Sequence, residues 1–365
     1  MIPMNGFQTE PEELIQRELD AAEKVIRSGW YVLGNEVNNF ETSWAARCGV
    51  TAAVGVGNGM DAIEIGLRAL NIGPNDEVVT TPMTAFATVL AIIRAGATPV
   101  LADIDPETAL LDPDSVEQCI SPRTKAVLLV HLYGQIRNME RWTTLCEQYG
   151  IHLLEDCAQS HAAVWHGKTA GSFGQWGAYS FYPTKNLGAF GDGGALVTNT
   201  EEIADKARVL RNYGQSQRYQ HPELGLNSRL DELQAALLSV RLDWLDVFTE
   251  RRRKIAETYA DGIRNPLVRQ MAKSPERDNH VYHLYVIRCT ERDRLATHLK
   301  DCGVSSLIHY PIPIHHQQPC SAVKIAPHGL THAEQHSATC ISIPCHPQMS
   351  DRDVSKIVAV INEFK

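Results

Sequence analysis

The sequence predicts an α/β fold: a mostly parallel sheet covered by helices on both faces, followed by a smaller C-terminal α+β domain. Three observations carry this expectation. Short β-branched apolar runs alternate with stretches of helical periodicity over roughly the first 200 residues. That order implies βαβ units and a mostly parallel sheet covered on both faces. The composition then changes after a long helical pattern over roughly 230–262. A chain of 365 residues is long enough for two domains. We expect a large domain over 1–245 and a small one over 246–365.

Taken in order, residues 11–28 alternate acids and apolar positions at helical spacing and stop at Ser28-Gly29. "TAAVGVGNG" (51–59) is a short buried strand running into a glycine turn, and "MDAIEIGLRALNI" continues as a helix. "DEVVTTP" and "TAFATVLAIIRAGA" repeat the strand-then-helix order, and "TPVLADID" supplies the next strand. "KAVLLVHL" (125–132), a helix over 138–149 and "IHLLEDC" (151–157) follow, with "WGAYSFY" (176–182) and "GGALVTN" (193–199) closing this half. Beyond the long helix come "HVYHLYVIRCT", a helix over 291–302, and a loop dense in proline and histidine. There is no internal repeat and no low-complexity segment.

Composition narrows the function. Apolar residues make up 44% and charged residues 21%, both ordinary for a water-soluble globular chain. The formal net charge is −9, and the densest basic stretch, "ERRRK" (250–254), sits inside a helical pattern rich in acids; no nucleic-acid partner is expected. No apolar run is long enough to span a bilayer, so no membrane partner is expected either. Nine cysteines lie singly from Cys48 to Cys345 with no CxxC, which suggests reduced thiols. The amino terminus turns acidic at once and has no apolar signal core. Together these imply a cytoplasmic protein.

Ligands of open parallel sheets bind beyond the carboxyl ends of the strands. Those ends deliver "GNGMDA" at a helix start, then Glu155-Asp156, then Ser180 and Lys185. A dinucleotide site is the obvious rival, but Gly55, Gly57 and Gly59 place the third glycine one residue early for that fingerprint. No acidic residue ends a strand about twenty positions further on, so the nicotinamide reading is rejected. A phosphate site, a strand-end aspartate and a lysine held in the constrained loop "SFYPTKNLGAFGDGG" (180–194) are instead what pyridoxal 5'-phosphate requires. Its aldehyde takes a lysine amine as a Schiff base, its phosphate takes N–H and hydroxyl donors, and its ring nitrogen stays protonated against a carboxylate. Asp156 lies 29 residues before Lys185, one strand and one helix-length excursion earlier, and Ser180 lies five residues before it. Singly, each has a plainer explanation: a helix cap, a surface lysine, an idle serine. The constellation at matching strand ends is what raises the functional reading.

"LLEDCAQSHAAVWHGKTAGSFGQWGAYSFYPTKNLGAFGDGGALVTN" resembles the DegT/StrS-type family of PLP-dependent nucleotide-sugar aminotransferases. "SGWYVLGNEVNNFE" (28–41), "GLNSRLDELQAAL" (225–237) and "IHYPIPIHHQQPC" (308–320) do so as well, and the likeness covers essentially the whole chain. The resemblance implies the aspartate aminotransferase fold. It matches Lys185 to the Schiff-base lysine, Asp156 to the partner of the pyridine nitrogen and Ser180 to a phosphate ligand. Gly59, Met60 and Asp61 match the phosphate-cradling turn, and Gln159 a residue beside the ring hydroxyl. Asn227 matches an asparagine that reaches the phosphate from the neighbouring subunit, implying a homodimer with shared active sites. Family members often carry an aromatic immediately after the threonine in the segment aligned to "MTAFAT", where it stacks on the cofactor. Here that position is Ala85 and the aromatic is Phe86, about 100° further round a helix. Phe86 is therefore either a displaced cofactor contact or a core residue. A glycine that commonly follows the histidine of "AQSHAA" is also absent, with little effect expected.

The implied reaction is a ping-pong transamination from an amino donor, most often glutamate in this family, to a keto sugar. Lys185 argues against the related sugar dehydratases, some of which carry histidine there. "HYPIPIH" resembles the form seen in enzymes that aminate C3 of a 3-keto nucleotide sugar. His309, Tyr310 and His315 then line the sugar or diphosphate end of the cleft, or else belong to a proline-stiffened loop whose histidines only pack. His315 and His316 are not expected to bind a metal, because adjacent residues rarely offer both rings to one ion and no carboxylate partner is evident. Arg211, Tyr213 and "YGQSQRYQH" are expected to form a loop near the site, with Tyr219 and His221 as substrate-side candidates. The alternatives are amination at C4 or on a keto-inositol, and a regulator that binds the cofactor without turnover. A cysteine-dependent desulfurase lacks a cysteine in a supporting context.

Overall fold

The computed structural model describes residues 1–365. Its strands are β1 (Ala52–Val56), β2 (Glu77–Thr80), β3 (Thr98–Leu101), β4 (Thr124–Val130), β5 (His152–Asp156), β6 (Val164–Trp165), β7 (Lys168–Thr169), β8 (Gly177–Ser180), β9 (Gly194–Thr198), β10 (Arg269–Gln270), β11 (Tyr285–Arg288), β12 (Lys324–Ile325) and β13 (Cys340–Ile343). Its helices are α1 (Glu12–Ser28), α2 (Asn35–Cys48), α3 (Gly59–Ala69), α4 (Phe86–Arg94), α5 (Pro113–Cys119), α6 (Met139–Tyr149), α7 (Glu201–Leu210), α8 (Glu232–Leu242), α9 (Leu245–Gly262), α10 (Arg292–Asp301), α11 (Thr331–Thr339) and α12 (Asp351–Glu363).

Eight strands form one sheet in the order β1-β9-β8-β5-β4-β2-β3-β12. Neighbours from β8 through β12 run parallel, while β9 is antiparallel to both β1 and β8. The reversal follows from the short loop 181–193, which returns the chain without a crossover helix. Because β9 is reversed between them, β1 points the same way as β8 and β5. The carboxyl ends of all three therefore open on one edge of the sheet, and they deliver Gly59, Ser180 and Asp156.

Strand side chains alternate into two cores, as a sheet covered on both faces requires. Ala126 and Leu128 of β4 join Leu154, Trp176 and Leu196 on one face. Val127 and Leu129 join Leu153, Tyr179, Phe181, Phe40 and Trp44 on the other. A third core lies in the C-terminal part, around Tyr259, Ile287, Leu295, Ile341 and Ile357, and takes in Ile2 from the amino terminus. It is built on the three-stranded antiparallel sheet β10-β11-β13. Residues after 246 also return to the large sheet, since β12 pairs with its edge strand β3, and Leu330 and Ala333 enter its core. No helix is long and apolar enough to cross a membrane.

Three expectations change. The helical pattern over 230–262 is two helices, α8 and α9, with a break at Asp243-Trp244. The excursion between Asp156 and Lys185 contains no helix and is built instead around the β6–β7 hairpin. Helix α2, which was not predicted, buries Val37, Phe40, Trp44 and Cys48 along one stripe. Its amino end has no local cap: Gly34, Glu36 and Val37 donate their N–H groups to the Glu232 carboxylate at 2.8, 2.9 and 3.0 Å. That cap comes from a residue about 200 positions away, so local sequence carries no sign of it.

Candidate active site

The loop after β8 holds Lys185 through its backbone. Lys185 N–H donates to Tyr182 O at 2.8 Å, Ala189 N–H to Phe181 O at 2.7 Å and Phe181 N–H to Gly193 O at 2.7 Å. A Cβ on Gly188 would stand 2.4 Å from Pro183 O, so only glycine lets the loop close this tightly. Asn186 ties the loop down by donating to Val281 O at 3.0 Å. Lys185 keeps part of its surface open to solvent. It is nonetheless crowded by protein, and burial lowers its amine to about 8, with Asp156 acting in the opposite direction.

Asp156 ends β5 and is buried. Its carboxylate accepts from Thr88 Oγ1 at 2.8 Å and from Ala158 N–H at 3.1 Å, and Thr88 in turn shares a 2.7 Å hydrogen bond with Thr84. Burial raises the Asp156 pKa, while those hydrogen bonds and the nearby Lys185 act to lower it. A buried carboxylate in this state favours a cationic N–H partner.

The phosphate end is formed by the start of α3 against the end of β8. A Cβ on Gly59 would come within 2.7 Å of Ser180 Cβ, so a glycine is what brings the helix start onto the serine. Asn58 caps α3 by accepting the Asp61 N–H at 2.8 Å. Gly59 and Met60, in the first turn, have N–H groups without an intrahelical acceptor. The Asp61 carboxylate is turned towards Asn58 at 3.1 Å and Arg94 at 3.5 Å, and Met60 packs partly on the second core.

Gln159 accepts from the Tyr133 N–H at 2.6 Å and donates to Tyr310 Oη at 3.2 Å. Burial and the neighbouring Asp156 push the Tyr310 hydroxyl up to about 12, so it stays protonated. His309 pairs with Ser342 Oγ at 2.9 Å, and its carbonyl accepts from Tyr133 Oη at 2.6 Å. Burial first, and then Lys185, bring His309 down to about 4 and His161 to about 3, and hold His283 well below its usual value. Lys185 thus shares its surroundings with three neutral imidazoles. Sequence reasoning had singled out only His309 of these, and it also missed Thr88 and Tyr133. The one available signal was the threonine pair Thr84 and Thr88, four residues apart.

Other candidates lie elsewhere. Phe86 is the first residue of α4 and packs against the main core. By helical geometry it points about 160° away from Thr88, the residue that bonds Asp156. This favours the core alternative. Tyr219 is 80% exposed, and His221 bonds Tyr213 O at 3.0 Å. Both sit in an outer loop, and the exposed Asn227 bridges Asn212 at its base. Within one chain none of these three hydrogen-bonds to the Lys185 surroundings. His315 engages Glu334 at 3.0 Å, so the carboxylate that the sequence did not reveal is present.

If the pKa of about 8 governs the amine, the rate at which the cofactor-free protein adds an aldehyde should rise with pH and level off above that value. The neutral amine is the nucleophile, and its fraction saturates once pH passes the pKa. Stopped-flow absorbance over pH 6–10 would check this. A rate still climbing like that of an ordinary lysine, with a pKa of about 10.4, would mean that burial does not tune the amine.

A shielded, partly neutral lysine, a buried strand-end carboxylate and a glycine-opened helix start meeting a serine together define a pyridoxal phosphate enzyme. The donor set fits that cofactor at each of its three ends. The chain belongs to the DegT/DnrJ/EryC1/StrS aminotransferase family, whose model matches residues 12–362, and it is an aminotransferase. It is 43% identical over 350 residues to the dTDP-3-amino-3,6-dideoxy-alpha-D-galactopyranose transaminase of Aneurinibacillus thermoaerophilus, covering 96% of each chain. It is 41% identical over 365 residues to a "Pleiotropic regulatory protein" of Geobacillus stearothermophilus, covering 100% of this chain and 98% of that one. The crystal structure of Streptomyces venezuelae DesV superposes with a TM-score of 0.95 at 40% identity, covering 99% and 98% of the two chains. The predicted α/β fold and cofactor are thereby established, and the named relatives support a sugar aminotransferase.

Proposed function

We propose that the protein transfers an amino group from glutamate to the C3 keto group of a nucleotide-linked keto-deoxysugar, by a ping-pong mechanism. The observation that carries this is the convergence of Lys185, Asp156 and the Tyr310 loop at one sheet edge. The loop brings a neutral imidazole, His309, near Lys185 and a protonated hydroxyl, Tyr310, near Asp156 and Gln159, groups that suit a polyhydroxylated acceptor. The C3 preference rests on the form of "HYPIPIH" and on a relative named for a 3-amino sugar.

When bound, the cofactor supplies an electron sink conjugated to the substrate α-carbon. Lys185 moves the proton, since an amine near pKa 8 is neutral often enough to accept it at neutral pH and charged often enough to return it. Asp156, held by Thr88 and the Ala158 N–H, keeps the ring nitrogen protonated. Gly59, Met60 and Ser180 take the phosphate, and Gln159 positions Tyr310. His309 stays uncharged, which avoids repulsion with Lys185. The test is absorbance of the purified holoprotein, first with glutamate and then with 3-keto and 4-keto nucleotide sugars. Bleaching by glutamate and recovery with a 3-keto sugar alone is the expected result; recovery with the 4-keto sugar moves the site of amination. No response to any donor favours a non-catalytic regulator, the reading suggested by the name of the Geobacillus relative.

The active unit in this proposal is a cytoplasmic homodimer whose sites are completed by Asn227 and the Tyr219–His221 loop of the facing subunit. Its support is a patch of exposed Trp30, Tyr31, Val32 and Phe190. Both parts of the patch adjoin the start of α8, because Val32 bridges Asp231 and the Phe190 N–H donates to Gln234 three residues on. Trp30→Glu combined with Phe190→Glu should convert the dimer to monomers in light scattering, as each buried aromatic anchor contributes about 2 kcal/mol or more. An unchanged mass would place the interface elsewhere.

A further inference from the structure

Two imidazoles and a carboxylate meet outside the Lys185 site. His315 and His316 lie on a single 3-10 turn, Ile314–His316, and Glu334 lies on α11. His315 Nε2 is 3.0 Å and His316 Nε2 3.7 Å from the same oxygen, Glu334 Oε1. The three ligand atoms all fall within 4.8 Å of one another. Around a tetrahedral ion with bonds near 2.0–2.1 Å, ligand atoms stand about 3.3–3.5 Å apart, and the two histidine–carboxylate distances fall on either side of that spacing. We propose that His315, His316 and Glu334 form a binding site for a divalent transition-metal ion, with Zn2+ as the reference ion.

Adjacent histidines seldom converge, because neighbouring side chains diverge on a regular helix or strand. Here the backbone prevents that divergence. Pro311 and Pro313 restrict the approach to the turn. The Ile314 N–H donates to Pro82 O, the His316 N–H to Pro313 O and the Gln317 N–H to Ile314 O, each at 3.0 Å. In this turn the two rings lie 4.1 Å apart. Glu334 is equally well placed. The start of its helix is held by the Asp103 carboxylate, which accepts the His332 and Ala333 N–H groups at 2.9 Å each.

Binding an ion at Nε2 moves the His315 ring proton to Nδ1, which is buried without a partner, so that N–H stays unpaired in the bound form. Without an ion, the Nε2–H donates to Glu334; with one, the lone pair of Nε2 faces the ion and the carboxylate neutralises part of its charge. His316 is 55% exposed and Glu334 48%, which leaves an open side for water as a fourth ligand. Two imidazoles and one carboxylate suit Zn2+, Ni2+ or Cu2+ and not Mg2+ or Ca2+. The ion would join the histidine turn to α11, the helix whose Ser337 bonds Tyr310 O at 2.9 Å and whose His336 bonds Tyr133 Oη at 2.8 Å.

The test is calorimetric titration of Zn2+ into chelator-treated holoprotein, for the wild type, His316→Ala and Glu334→Gln, with excess Mg2+ present throughout. Both substituted side chains are about half exposed, so both variants should keep the wild-type melting temperature. The expected result is one equivalent bound by the wild type and affinity lower by about tenfold or more in each variant. No binding by the wild type, unchanged affinity in both variants, or loss in only one of them overturns the three-ligand site. The titration does not depend on turnover and so stands apart from the proposed transamination.

Discussion

Lys185→Ala should lower the rate of amino transfer by about ten thousandfold or more, the upper range for a group that acts as general acid–base and covalent anchor together. The fold should survive, because the loop is held by backbone hydrogen bonds and by Asn186, and the substitution removes an amine that burial already disfavours. Lys185→Arg is the sharper variant. It keeps the positive charge beside Asp156 but cannot release its proton near neutral pH. If it is as slow as the alanine variant, Lys185 acts by moving a proton and bonding the aldehyde. If it keeps a tenth or more of wild-type turnover, its role is electrostatic and the proposed mechanism is wrong. Single-turnover absorbance after mixing with the amino donor separates the two outcomes without needing the acceptor sugar.

Asp156→Asn should be the next most damaging change, on the order of a hundred- to a thousandfold in the same single-turnover rate, as when one preorganised electrostatic partner is removed. An amide cannot hold the cofactor's ring nitrogen in its protonated form, so the electron sink weakens while the hydrogen-bond geometry stays similar. Thr88→Val removes one charge-assisted hydrogen bond from the same carboxylate and should cost about tenfold. The ordering of the two is the informative result. Equal losses would mean that Thr88 contacts the reacting groups itself, whereas a near-silent Asp156→Asn would move the electron-sink role away from Asp156.

The central site was legible in the sequence because its three parts sit at strand ends, and strand ends can be found from apolar periodicity. Lys185, Asp156, Ser180 and Gly59 needed only the rule that open sheets bind ligands at their carboxyl edge. The groups that tune these residues were not legible. Thr88 comes from the first turn of α4, Tyr133 from a turn with positive φ, and His161 and His283 from segments about 120 residues apart. Each is a common residue in an ordinary local context and gains meaning only from what it is packed against. The same holds for Phe86, whose direction depends on where α4 begins, and for His315, whose partner Glu334 lies 19 residues away on another element.

The fold divides along the same line. The alternation of strands and helices determined the α/β class, and the strand-end positions of Asp156, Ser180 and Lys185 with the glycine turn at Gly59 pointed to the cofactor, because these are local properties of backbone and periodicity. Tertiary structure decided that α2 exists under a cap supplied by Glu232, that the chain breaks between α8 and α9, and that β12 returns to the edge of the large sheet. It also decided which nitrogens and hydroxyls around Lys185 stay neutral. Those outcomes depend on desolvation and on contacts between residues distant in the chain, and no local pattern encodes the distance between two side chains that meet only when the chain has folded.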